Sequence, residues 1–426
     1  MAASISALHY LQWRQITDQL VWKKMSTTKL LKAIISSVLI LLSLPSLSAE
    51  WRGVVATDVR YYFEEGDFGQ DQELASIMIE PEFYHSWDEH NLSLVFKPFY
   101  RWDSMDNERT HGDIRELMLQ YVGDEWDVKA GIGKVFWGVA ESQHLVDIIN
   151  QTDFVENIDG EDKLGQPLLT LSTERDWGLL SIFALPGFRE RTFAGEEGRL
   201  RFPYVIDTDN PIYADPDGKS RLDGAIRWSH WIGDWDIGIA HFSGTSRDPQ
   251  FVLDSSNPQD LKLRPVYVTI DQTSIDVQAT KGAWLWKLEA MSRSGFEQGR
   301  YSAAVGGFEY SFYGITESGA DLGVIMEYQY DSRDVLPGGF RQEDIWVGGL
   351  RLAMNDIPST EVLLGYSYAE NQQFINLEAS RRLGDSWKLV IEGRWFEGID
   401  ETRPMDSFLY PFRNDDYLSI SFERYF

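Results

Sequence analysis

Beyond residue 49 the apolar positions recur every second residue, and no segment carries the 3.6 period of an amphipathic helix. In the first such run Trp51, Val55, Val59, Tyr61 and Phe63 share one face, while Arg52, Asp58 and Arg60 take the other. Leu92, Leu94, Phe96, Tyr100 and Trp102 oppose Ser93, Lys97 and Arg101 in the same way. Trp284, Trp286 and Leu288 oppose Lys287, Glu289 and Arg293. Runs of this kind predict strands at 51–63, 73–87, 91–103, 113–122, 126–137, 167–173, 177–185, 221–232 and 235–245. They continue at 272–280, 284–294, 301–313, 321–330, 342–354, 361–369, 374–383, 387–396 and 416–426. That makes 18, an even number, as a bacterial single-chain barrel needs for both termini to lie on one side. The runs within 167–185 and 301–330 are the weakest, so 16 strands stays open.

The links sort by length. Every second one is short, as at 123–125, 233–234, 281–283 and 384–386, and Trp126, Trp177, Trp235, Trp284 and Trp387 each follow such a link directly. The others are longer and reach about thirty residues at 138–166 and 186–220. Short turns on one rim and long loops on the other predict an all-β transmembrane antiparallel up-and-down β-barrel, with periplasmic turns and extracellular loops. The tryptophans would then form the interfacial girdle on the turn side. A soluble β-sandwich gives no reason for such sorting.

One segment, Ala33–Leu44, is continuously apolar, and it is shorter than the roughly twenty residues a spanning helix requires. Lys29 and Lys32 precede it and Ser46-Leu47-Ser48-Ala49 follows, the layout of a secretory signal cleaved after Ala49. Residues 1–24 lengthen the basic leader abnormally. The expected organisation is therefore an artefactual extension at 1–24, a signal peptide at 25–49 and an outer-membrane barrel at 50–426, exported through the Sec pathway.

Composition refines this picture. The chain has no cysteine, which removes disulfides and thiolate chemistry together. Its mean hydropathy of −0.31 resembles a soluble protein, but lipid-facing and lumen-facing residues cancel in any average over a barrel. The formal charge is −28, near −32 without the leader, and argues against a nucleic-acid partner. The inward strand faces carry twelve bases, among them Arg52, Arg60, Lys97, Arg227, Arg293 and Arg394, against eleven acids. The lumen is nearly balanced, so the excess acid lies in loops and turns. Most of these inward charges are expected to pair into rigidifying ladders around a hydrated interior. The acidic loops suit divalent-cation bridging to lipopolysaccharide, although Asp207, Asp209, Asp215 and Asp217 lack the spacing of a calcium loop. No cofactor is expected otherwise.

The chain ends with Leu418, Ile420 and Phe422 alternating with Ser419, Ser421 and Glu423, and closes on Phe426. This resembles the terminal strand of Gram-negative outer-membrane proteins, whose final aromatic residue is read by the barrel-assembly machinery. Arg424 stands where an outward aromatic is usual. Over its whole mature length the chain resembles porin-like outer-membrane barrels, and Trp137-Gly138-Val139-Ala140-Glu141-Ser142 is similar to a stretch of uncharacterised porin-like families. The resemblance implies passive passage of small solutes, names no substrate, and leaves monomer and homotrimer both open.

Loop 137–166 is unlike the rest. Its centre, Leu145–Asn150, whether helical or irregular, is too apolar for an exposed loop, and acids surround a lone Lys163. It is expected to fold inward as a constriction, with Glu141, Asp147 and Asp153 facing basic wall residues, Arg101 and Lys129 foremost. Such a transverse field would order water and select polar solutes. The rival class is a barrel enzyme of lipase or protease type. His241-Phe242-Ser243, with His230 nearby, meets only half of the outer-membrane phospholipase pattern, because Gly244-Thr245 follows in place of Asn-Gly. No catalytic activity is expected. A third role, as a surface adhesin or receptor acting through 186–220, is compatible with transport.

Overall fold

Alternation of this kind leaves every strand with one apolar and one polar face, and closure into a ring satisfies both faces and removes the edges. The computed structural model describes residues 49–87, 90–336 and 338–426. The extension at 1–24 and the signal peptide at 25–49 fall outside these residues, apart from Ala49 at the head of the first strand.

The chain forms β1 (Ala49–Tyr62), β2 (Glu73–Trp87), β3 (Leu92–Asp103), β4 (His111–Val122), β5 (Trp126–Gly133), β6 (Gln166–Arg175) and β7 (Gly178–Pro186). Then come β8 (Val205–Ile206), β9 (Ile212–Tyr213), β10 (Leu222–Ile232), β11 (Trp235–Thr245), β12 (Gln250–Asp254) and β13 (Lys262–Tyr267). The remainder are β14 (Thr269–Lys281), β15 (Trp284–Phe296), β16 (Gly299–Phe312), β17 (Asp321–Asp331), β18 (Ile345–Ala353), β19 (Glu361–Ala369), β20 (Gln372–Leu383), β21 (Trp387–Glu397) and β22 (Tyr417–Tyr425). Eighteen of them make one sheet. β8, β9, β12 and β13 form a separate small sheet within the loops, so β7 pairs with β10 and β11 with β14. β1 pairs antiparallel with β22, with Val59 opposite Ile420, and this closes the ring. Strand count and topology therefore agree with the expected 18-stranded antiparallel barrel.

All predicted bounds fall within three residues of the observed ones except one: the fifth strand ends at Gly133 rather than at residue 137. The reason is local. The N–H of Val135 donates to Asn150 Oδ1 at 2.8 Å and that of Trp137 to Asp147 Oδ1 at 3.3 Å, so these groups leave the ladder for the loop.

Trp126, Trp177, Trp235, Trp284 and Trp387 are all exposed on the outer surface beside the short turns, as an interfacial girdle requires. Inside, loop and wall side chains pack into an apolar cluster. Val146, Ile148 and Ile149 of the loop meet Phe183, Phe242, Ile270 and Met291 of the wall. Each fully buried side chain of this size contributes on the order of 1.5–3 kcal/mol. A second cluster, around Tyr62, Phe396, Phe412 and Tyr417, holds the long loops against β1 and β22.

Candidate functional site

The segment between β5 and β6 crosses the lumen. Both of its ends are tied by Asn150, whose Nδ2 donates to the carbonyls of Gly133 and Leu164, each at 2.8 Å. From there the chain reaches the far wall. Val139 and Ala140 N–H donate to Glu289 Oε1 of β15 at 2.7 and 2.9 Å, and Val146 N–H to Oε2 at 3.2 Å. Glu141 and Ser142 N–H donate to Glu327 of β17, each at 2.9 Å, and Ser142 Oγ adds a bond of 2.6 Å. A loop inside a barrel would orphan its backbone donors, and two wall carboxylates accept them instead. The Glu141 carboxylate lies 3.2 Å from Lys287 of β15 and 2.5 Å from Arg351 of β18. β18 stands nine strands round the eighteen-stranded ring from β5, so the loop spans the whole opening.

Its return leg is pinned to the near wall. Asp153 takes bonds from Arg115 at 2.6 Å and Thr192 Oγ1 at 2.6 Å, with His111 Nε2 at 3.2 Å. Arg101 pairs with Glu156 at 2.6 Å. Asp159 meets Arg394 of β21 at 3.2 Å. Glu141 and Asp153 each meet bases of the wall, and Arg101 holds the loop acid Glu156. Two details differ from the expectation. Asp147 pairs with Lys163 of its own loop at 3.1 Å, because the segment folds back on itself. Lys129 forms no ion pair with the loop among the described residues, and the base that holds Asp153 is Arg115. Of the two conformations left open for Leu145–Asn150, the irregular one is present, with the Val146 N–H given to Glu289 of the wall.

Arg115 was hidden by a bulge. Between Lys97–Glu116 and Pro98–Ile114 the β3–β4 register shifts, leaving Arg115 as the extra residue aimed into the lumen. The outward residues betray it: Ile114 and then Leu117, Leu119 and Tyr121, an interval of three before the intervals of two. Arg351 carried an ordinary alternation signal and could have been found. Arg191, Arg247 and Arg333 sit in loops, where no period marks a face.

The other basic rows are neutralised. Lys97 pairs with Glu80 at 3.0 Å, Arg227 with Asp276 at 2.7 Å and Arg293 with Asp248 at 2.7 Å. Arg394 meets Glu378 at 2.9 Å, Arg52 pairs with Glu82, and Arg60 packs over the Tyr417 ring with Glu392 at 4.0 Å. Loop electrostatics are polarised accordingly. Burial disfavours the charged His144 ring, but the neighbouring carboxylates of Glu161 and Glu289 outweigh it and hold the pKa up to about 10. Burial raises the Asp147 carboxyl despite Lys163. Asp153 is held well below the usual carboxylate range, since His111 and Arg115 overcome its burial.

Space remains on both sides of the loop. A cavity of about 340 Å³ at the outer mouth and one of about 230 Å³ against the loop share Gln143, Arg191, Asp248, Asp331 and Arg333. On the turn side a recess of about 870 Å³ is lined by Arg227, Asp276 and the Glu174–Asp176 turn.

The remaining candidates are accounted for by geometry. β11 turns Phe242 inward, so His241 and Ser243 face outward rather than into the lumen, and His241 Nδ1 lies 3.0 Å from Thr273 Oγ1. Asp207 accepts from Asn210 and Asp215 from Arg221, so these acids are engaged locally. His111, Asp153 and Glu156 come within ligand distance of one another, yet Arg101 and Arg115 already neutralise both carboxylates.

A closed ring of 18 antiparallel strands with an outer apolar belt and an inward loop is an up-and-down β-barrel of porin-like architecture. No family model and no curated protein matches the chain. Among solved structures it is similar to mutant forms of a porin from Rhodopseudomonas blastica, at 12% identity and a TM-score of 0.42, covering 89% of this chain and 100% of the porin. A form of the Vibrio cholerae outer membrane protein OmpT lacking loop L8 gives 11% identity and a TM-score of 0.46, covering 89% of this chain and 99% of that one. The strand ladder of the chain itself, not these distant likenesses, fixes the fold.

Proposed function

We propose that the protein is an outer-membrane channel through which small polar or charged solutes diffuse passively, past a constriction formed by the loop between β5 and β6. The observation that carries this reading is the loop's span across the lumen on paired charges, with polar-lined space on both sides of it. Fixed charges of both signs around a narrow path order water and admit polar solutes. Residues 25–49 would direct export through the Sec pathway. No observation favours the enzyme reading, for which His241 and Ser243 stand on the outer surface. Reconstituted into planar bilayers, the purified protein should give discrete, ohmic conductance steps. A protein that inserts as a folded barrel and passes no ion current would overturn the reading.

A further inference from the structure

The cavity of about 230 Å³ divides its charges between two groups of residues. From the loop, Asp147, Asp159 and Glu161 face it, with Lys163 beside Asp147 at 3.1 Å and His144 beside Glu161 at 3.0 Å. From the wall and the loops above it come Arg191, Arg247, Arg293 and Arg333, accompanied in the lining by only Asp248 and Asp331. The loop group therefore leans negative and the arginine group positive. Leu145, Ile148, Met291 and Tyr301 supply apolar lining. The Tyr301 ring is held by Arg333, whose guanidinium carbon lies 4.1 Å from the ring centroid.

A simple anion entering this space gains from the arginines and is repelled by the loop acids, and a simple cation meets the reverse. A solute that carries both charges gains from both, and the gain is larger in a narrow low-dielectric space than in bulk water. One open acceptor stands on the acid side. The Glu161 side chain keeps 57% of its surface exposed and faces the space, whereas Asp147 Oδ2 is buried beside Lys163 at 3.1 Å. The volume lies below the roughly 300–1,000 Å³ typical of sites for drug-sized ligands. We propose that this cavity is a binding subsite for a small zwitterion with an apolar body, an amino acid of leucine's size, with its ammonium toward Glu161 and its carboxylate toward Arg293 and Arg333. The assignment rests on the channel reading and adds the solute class to it.

Calorimetry on the detergent-solubilised barrel tests the site independently of conduction. The probes are L-leucine, 4-methylpentanoate, which lacks the amine, and 3-methylbutylamine, which lacks the carboxylate. Leucine should bind at least ~tenfold more tightly than either analogue, and this comparison on the parent protein needs no variant. Glu161→Gln should weaken leucine about tenfold and leave 4-methylpentanoate unweakened, whereas Arg333→Gln should weaken both. Equal affinities for the three probes, or no measurable binding of leucine, would overturn the proposal. Bilayer currents measured in parallel separate the two ideas. Leucine binding without conduction leaves the subsite standing and removes the channel, and conduction without binding does the opposite.

Discussion

His144 occupies a point where two carboxylates meet, with Glu161 at 3.0 Å from the loop and Glu289 at 3.7 Å from β15, and its ring edge-on to Phe136 at 4.8 Å. A histidine whose pKa rises from 6.5 to about 10 contributes docking stability that is complete below pH 6.5 and is lost progressively as pH climbs toward 10. Glu161 works at the other end. The bond from His144 holds its carboxyl below 4.5, so its contribution survives mild acid and disappears only when the pH falls through that depressed value. The loop should therefore stay docked across neutral pH and loosen in alkali. Bilayer conductance should rise reversibly as pH approaches 10, and His144→Gln should remove that step. A parent and variant with identical alkaline profiles would show that His144 does not hold the loop.

The loop between β5 and β6 works as an element because three kinds of contact coincide in it. Asn150 ties its two ends, Glu289 and Glu327 receive its backbone, and Val146 and Ile149 anchor it in the apolar cluster. Its acids are paired, so removing their charge leaves Lys287 and Lys163 without these partners and leaves Arg351 and Arg115 with only Glu309 and Asp113, which makes the segment more positive. Combined Glu141→Gln, Asp147→Asn and Asp153→Asn substitution should shift the reversal potential toward anion selectivity. The shift should shrink between 0.1 M and 1 M salt, as the Debye length falls from about 10 Å to about 3 Å. Breaking buried pairs costs roughly 3–5 kcal/mol each, so the triple variant should also melt earlier than its parent. An unchanged reversal potential at low salt would place these acids off the conduction path.

At the scale of the whole molecule, closure depends on the meeting of the two chain ends. Gly53 N–H donates to the Phe426 carbonyl at 3.0 Å and Phe426 N–H returns to Gly53 O at 3.1 Å. The fit at Gly53 is tight, since a Cβ there would come within 2.8 Å of the Phe426 ring. Arg424, which departs from the usual terminal pattern, stacks outward over Trp387 at 5.3 Å, while Tyr425 donates to Glu423 at 2.5 Å. Deleting Phe426 removes two bonds from the seam and the final aromatic side chain together. The heat-modifiable folded form should fall several-fold in yield, read on semi-native gels, with conductance of the surviving molecules unchanged. Equal folded yields would exclude any role for the terminal residue in assembly.

The wall was legible in the sequence because lipid and water impose opposite demands on alternate residues, and that demand is local to each strand. Trp235, Leu288 and Ile420 could be assigned an outward face from their neighbours alone, and the lengths of the links sorted the two rims. The apolar run Leu145–Asn150, set among acids, also marked this loop out from the others in the sequence. Its partners were not. Whether Asp153 meets Arg101, Lys129 or Arg115 depends on a one-residue bulge in β4, which turns Arg115 inward. That Asp147 closes on Lys163, and that Glu289 and Glu327 serve as acceptors for backbone N–H groups, follows from the path of the loop through space. The cavity charges come from residues far apart in the chain, Glu161, Arg191, Asp248 and Arg333 among them, brought together by loops that carry no period. Solvation decides which way a strand faces, residue by residue. Only closure of the ring and packing of the loops inside it decide which charges meet.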